Sequence, residues 1–168
     1  TGLMQAVKAY ERLAARAAFS GRYQDALAAA LQTEDGRLSE NALHGAVMDT
    51  VGGSGIQGIF DFVYFSRRGK GDIAALAPLV LRCAAQGDAV SLDILRRGAA
   101  ELARLVSAVM GKLGLENGSP CALAGGLLAE DNVYRRAVCA ALAPFCRPAA
   151  PEHDALFGAV QLALAAIQ

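Results

Sequence analysis

Pro120-Cys121-Ala122-Leu123-Ala124-Gly125-Gly126-Leu127-Leu128-Ala129-Glu130-Asp131-Asn132 is the stretch whose reading decides the fold. Cys121 to Ala124 is too short and too small-residued for a helix of its own. It follows the turn-like Glu116-Asn117-Gly118-Ser119-Pro120 and reads as a buried strand of a parallel sheet. Gly125 and Gly126 then let the chain turn sharply and leave no Cβ between the backbone and a flat ligand. Asp131 or Asn132 caps the next helix, which runs to about Ala143, where Pro144 ends it. A strand, a glycine pair and a helix make a crevice at the carboxyl end of a sheet, where open α/β folds bind ligands. A strand-to-helix turn also takes glycine for purely local reasons, so on these residues alone a ligand seat and a tight turn both stand.

Upstream, Asp88 caps the longest helix, Ala89 to Leu113, with an apolar stripe of Leu92, Leu95, Ala99, Leu102, Leu105, Val106, Val109 and Leu113. It leads through Gly114 to Pro120 into the strand, a helix, strand, helix succession that packs helices on a sheet. Before it, Asp72 is expected to cap a helix carrying Ile73, Leu76, Val80 and Cys83. Further helices are predicted over Gly2–Ala18, Tyr23–Gln32 and Glu40–Val51. Gly52-Gly53-Ser54-Gly55 lacks the Lys-Ser/Thr of a phosphate loop and has no buried strand before it, which favours a plain flexible connector. Ile59 to Phe65 is the aromatic concentration and is read as a helix serving as core or interface. Arg67-Arg68-Gly69-Lys70 reads as a solvated turn. Downstream, Phe145-Cys146-Arg147 is expected as a short edge strand stopped by Pro148. Asp154 caps a last amphipathic helix, Ala155 to Ile167, in which Gly158-Ala159 allows close approach.

The chain has 168 residues, 54% hydrophobic and only 6% aromatic, which suits one compact helix-rich unit with an alanine-filled core. Sixteen basic residues balance sixteen acidic ones, so no field draws in nucleic acid or an anionic membrane. No apolar run reaches membrane-spanning length. Cys83, Cys121, Cys139 and Cys146 sit singly in apolar segments and read as small buried hydrophobes of a reducing cytoplasm. The opening Thr1-Gly2-Leu3 has no initiator methionine and looks mid-helix, so a fragment of something larger is expected.

No nucleophile and base constellation survives inspection. His44 and His153 read as surface residues, and Asp61, Asp72, Asp88 and Asp93 as caps and solvated faces. No residue qualifies as catalytic and none as a metal ligand.

Several motifs in order carry a resemblance. Asp35-Gly36-Arg37 with Leu43 and Val47 looks like a turn and its following helix; Lys70 to Ser91 looks like a helix, Gly-Asp, helix junction; Leu123 to Leu128 is similar to an adenosine motif; Phe157 to Leu164 looks like a closing helix. Together, from Asp35 to Ala165, the chain resembles the carboxyl-terminal domain of the N-acetylglucosamine kinase and BadF/BadG/BcrA/BcrD ATPase family, within the sugar-kinase, Hsp70 and actin superfamily. The resemblance implies an α/β, helix-dominated, actin-like (RNase H-like) carboxyl-terminal lobe with few strands and several packed helices. Residues 35–168 would form this nucleotide-side domain, and 1–34 a helical segment of uncertain assignment. It also implies ATP and Mg2+ as cofactors and phosphoryl transfer to an amino sugar that binds through a missing amino-terminal region. The adenosine motif falls on Ala124, Gly125 and Gly126, with Leu127 beside them, and Ala84 to Asp88 would lie near the base. The family's two phosphate loops and its catalytic aspartate have no counterpart between Thr1 and Gln168, so this chain alone should not turn over.

Two rival readings stand beside the kinase. One is the ATPase component of a radical-enzyme activator, which would hold an iron-sulfur cluster through cysteines at a dimer interface. The other is a non-catalytic helical interaction module using Phe60 to Phe65. The aromatic segment and the apolar content make a homodimer reasonable.

Overall fold

In the computed structural model, residues 24–65, 76–151, 153, 157, 160–161 and 163–165 are described. The long helix α5, Ala89–Leu113, forms as the sequence predicts, capped at its start by Asp88 and closed by Gly114 in the left-handed conformation (φ 64°). It is about 37 Å long. Its buried face is Ser91, Ile94, Leu95, Gly98, Ala99, Ala103 and Met110, rotated from the expected stripe. Leu92, Leu102, Leu105, Val106 and Val109 are half-buried, and Leu113 is exposed. Gly98, Ala99 and Ala103 present little side chain on that face, which suits close packing, and helices α4 (Ala77–Ala85) and α6 (Val133–Leu142) both pack on α5.

Ser91 is fully buried, and its Oγ has no hydrogen-bond partner among the described residues. A small orphaned hydroxyl in an apolar setting costs desolvation with no return. Ser91→Ala is therefore expected to stabilise the protein by up to about 1 kcal/mol, read as a rise in Tm.

Helix α1, described over 24–34, contributes Ala26, Leu27, Ala29 and Ala30 to the same buried cluster. Helix α2, Ala42–Val51, is capped by Asn41, whose side chain accepts from the His44 amide, and buries Leu43, Val47 and Val51 at i, i+4, i+8. The Ala42 amide donates to Asp88 Oδ1 (3.1 Å), while Asp88 Oδ2 accepts from the Ser91 amide (2.8 Å). One carboxylate thus caps two helices.

The glycine loop after α2 is not the loose connector expected. A Cβ on Gly53 would sit 2.6 Å from the Gly58 Cα, so the two backbones touch and the loop folds onto helix α3, Gly55–Phe60. Alanine at Gly53 must push backbone against backbone, and Gly53→Ala should cost about 1–3 kcal/mol in urea denaturation. The aromatic segment is helical as predicted, but it starts earlier and ends as a π-turn over Asp61–Phe65. Ile59 and Phe62 are core, whereas Ile56, Phe60 and Tyr64 are exposed, with the Phe60 and Tyr64 rings stacked at 6.0 Å.

Helix α4 begins at Ala77, with Leu76 in the cap position and Pro78 in the first turn, where its missing amide costs nothing. Asp72, expected as the cap, lies outside the described residues. Leu76, Val80 and Cys83 are buried as expected. Ile73, the Arg67 to Lys70 turn, the predicted Gly2–Ala18 helix, Asp154 and Gly158-Ala159 lie outside the described residues.

The carboxyl-terminal half contains a βαβ unit: strand β1 (Ser119–Ala122), helix α6 and strand β2 (Cys146–Ala149). The strands pair in parallel, in the register Ser119 with Cys146 through Ala122 with Ala149. β1 lies two residues earlier than predicted and is not fully buried. Ser119 and Cys121 are half-buried while Pro120 and Ala122 are exposed, because a two-stranded ribbon covers only one of its faces. Pro148 does not stop β2 but lies within it, opposite Cys121. The Phe145 and Ala149 carbonyls accept from the Gly118 (2.8 Å) and Leu123 (3.2 Å) amides, so by strand alternation the Pro148 nitrogen faces away from β1 and no ladder bond is lost. Asn132, rather than Asp131, caps α6, and Tyr134, Val138 and Leu142 bury its inner face. Residues 157, 160–161 and 163–165 are helical, consistent with the last predicted helix.

Candidate functional site

The Gly-Gly turn sits at the carboxyl end of β1. Leu123 is buried and pins the strand end. Ala124, Gly125 and Gly126 then emerge to the surface, and Leu127 and Leu128 turn back to pack on the core. Gly125 has φ 102°, a conformation that side chains rarely adopt, so the turn itself requires this glycine. Gly126 is different. Its φ is ordinary, and a Cβ there would meet nothing within 4 Å among the described residues. Neither φ nor any described neighbour requires a glycine at 126.

The segment after the pair is held by its own polar groups. The Leu128 and Ala129 amides both donate to the Gly125 carbonyl at 2.9 Å. The Asn132 side chain donates to the Leu127 carbonyl (2.8 Å) while its Oδ1 caps the Arg135 amide (2.9 Å). The Arg135 guanidinium donates to the Leu128 carbonyl, and Arg136 pairs with Asp131 at 2.7 Å. The result is a fixed ledge of bare backbone. Ala124 to Leu127 carry no acid or base, so the ledge offers no group for proton transfer.

The other residues singled out in the sequence fall elsewhere. At the junction before α5, Ala84 is buried, Gln86 and Gly87 are exposed, and Asp88 is spent on two amides. Beyond it, Ala89, Val90, Asp93, Ile94 and Arg97 line an open cleft of about 380 Å³ against α1. Arg97 there is held by Asp93 (3.0 Å) and loosely by Asp25 (3.6 Å). Asp61 accepts from Gln57, on a solvated face as expected. Asp35 and Arg37 form a bidentate pair across their turn; the Arg37 hydrogen bond holds the Asp35 carboxyl below its usual range.

His153 is exposed and lies on the Phe157 ring (3.9 Å between centroids). His44 is not the surface residue expected: its side chain is 11% exposed, with a carboxylate at each ring nitrogen. Glu40, at i−4, is legible in the sequence as one partner; Glu34, on the preceding helix, is not. Cys83 and Cys146 are buried as expected, and Cys121 and Cys139 only half-buried. Burial pushes the Cys83 thiol up, away from reactivity. Among the described residues no group of three or more His, Cys, Asp or Glu side chains is placed to hold a metal ion. No described helix is long and apolar enough to cross a membrane.

The family model for the BadF/BadG/BcrA/BcrD ATPase family matches residues 7–163. The chain belongs to that family. Its structure is similar to one described as a candidate N-acetylglucosamine kinase from Chromobacterium violaceum, with 30% sequence identity and a TM-score of 0.65 over 86% of this chain. The same match covers 46% of that protein, so the chain spans about half its length. None of the curated proteins matches the sequence. A helix-dominated domain with a small parallel sheet, of the kind found in this ATPase family and in a sugar kinase, is thus the architecture around the ledge.

Proposed function

We propose that residues 35–168 are the nucleotide-side, carboxyl-terminal domain of an ATP-dependent amino-sugar kinase. The backbone of Ala124, Gly125 and Gly126 is its adenosine seat, and Leu127 supports that seat from the core side. The observation that carries this reading is Gly126, a surface glycine that neither its own conformation nor packing against the described residues demands. A ring stacked on the ledge would demand it, because any Cβ there fills the space the ring needs.

The ledge fits adenosine in chemistry as well as in shape: it offers backbone amides and carbonyls beside apolar surface and no charge to desolvate. Bound ATP supplies the phosphoryl group. The backbone of Ala124, Gly125 and Gly126 would hold the base. Membership of an ATPase family and the fold shared with a candidate N-acetylglucosamine kinase support the kinase assignment. The ledge itself carries no carboxylate, so phosphate and metal clamps are assigned to residues other than Ala124 to Leu127. Calorimetric titration of the full-length protein with ADP tests the reading: binding is expected in the parent protein, and its absence would end the proposal.

A further inference from the structure

His44 makes two contacts that a neutral imidazole cannot satisfy together. Nε2 lies 2.8 Å from Glu34 Oε1, and Nδ1 lies 3.1 Å from Glu40 Oε2. A neutral ring has one N–H and one lone pair, so one carboxylate would face a lone pair at hydrogen-bond distance. Only the doubly protonated ring donates to both. The contacts also join separate elements: Glu34 is in the last turn of α1, Glu40 lies in the irregular segment before α2, and His44 is in the first turn of α2. The other oxygen of Glu34 lies 3.5 Å from where a Cβ on Gly55 would be, at the start of α3.

We propose that His44 is a protonation-dependent latch, closed as an imidazolium between Glu34 and Glu40, that ties the end of α1 to α2 and holds Glu34 against the start of α3. Glu34 and Glu40 are the charged groups that act on the ring. Asp35, next to Glu34, is taken up by Arg37, and Asp88, the cap of α5 that reaches Ala42, by two backbone amides. The latch is built into the fold independently of the nucleotide seat.

Burial alone would lower the affinity of His44 for its second proton. The hydrogen bonds and charges of Glu34 and Glu40 more than offset this, and the net direction is upward from the ordinary value of 6.5. For a base whose folded value is raised, the stabilisation is complete below the unfolded value and is lost as pH rises through the folded one. The latch is therefore closed in mildly acidic solution and releases on the alkaline side.

The test is an NMR titration of the histidine ring signals of the full-length protein, with assignment by His44→Gln and His153→Gln. The His44 midpoint should lie above 6.5, both His44 ring nitrogens should carry protons at pH 6, and Glu34→Gln should move the midpoint down. A His44 midpoint at or below 6.5, or an unprotonated ring nitrogen at pH 6, would overturn the proposal, and both are read on the unmutated protein. Denaturation from pH 5 to 9 gives a second reading. The stability gap between the parent protein and His44→Gln should shrink as pH rises, and a gap independent of pH would contradict the latch.

Discussion

Replacing Asp88 with alanine is expected to lower stability by about 2–3 kcal/mol, more than the loss of an ordinary helix cap. The reason is that its two oxygens serve different helices. Oδ2 caps α5 through the Ser91 amide, and Oδ1 accepts from Ala42 at the start of α2, 46 residues away in sequence. Alanine leaves both amides without their partner and removes a polar tie between two of the helices that build the core. In a domain of this size the loss corresponds to a fall in Tm of about 5–10 °C. Asp88→Asn keeps one accepting oxygen and should fall between the two. If Asp88→Ala cost no more than about 1 kcal/mol, the shared cap would not contribute as described.

The second large effect separates the two glycines. Gly126→Val is expected to leave the folded protein within about 0.5 kcal/mol of the parent, since no described residue lies within 4 Å of the new Cβ and φ is ordinary. ADP affinity should nevertheless fall on the order of 100-fold, because the side chain displaces a ring that needs contact with bare backbone. Gly125→Val should lose binding and stability together, by about 1–3 kcal/mol for the latter, since φ 102° is strained for any residue with a Cβ. A Gly126→Val protein that binds ADP as tightly as the parent would show that the ledge is only a turn.

These expectations divide along the line between local and distant causes. Asp88 at the start of α5, and the parallel strand before Gly125, are legible in the sequence because caps and turns act over a few neighbouring residues. The choice of Asn132 over Asp131 needed the structure, since both carry a capping oxygen one residue apart. Everything that depends on which surfaces meet was hidden. The second amide on Asp88 comes from a different helix, Gly53 touches Gly58 across a turn, and His44 finds Glu34 only once α1 and α2 are side by side. Pro148 is tolerated because its nitrogen faces away from β1, a matter of register. The shift of the buried face of α5 toward Ser91 and Ile94 has the same origin: several residues of the helix are apolar enough to be inside, and the positions of α4 and α6 decide which are.

In the sequence the glycine pair reads as a seat or a turn, and the structure divides it. Gly125 satisfies the turn, and Gly126 is left over. The most direct measurement of what Gly126 serves is a crystal structure of the full-length protein with ADP. The adenine and ribose should lie against the backbone of Ala124, Gly125 and Gly126, with the ring over Gly126 at van der Waals distance. Adenosine bound elsewhere, with the Gly126 surface still open to solvent, would contradict the assignment of this ledge as the nucleotide seat.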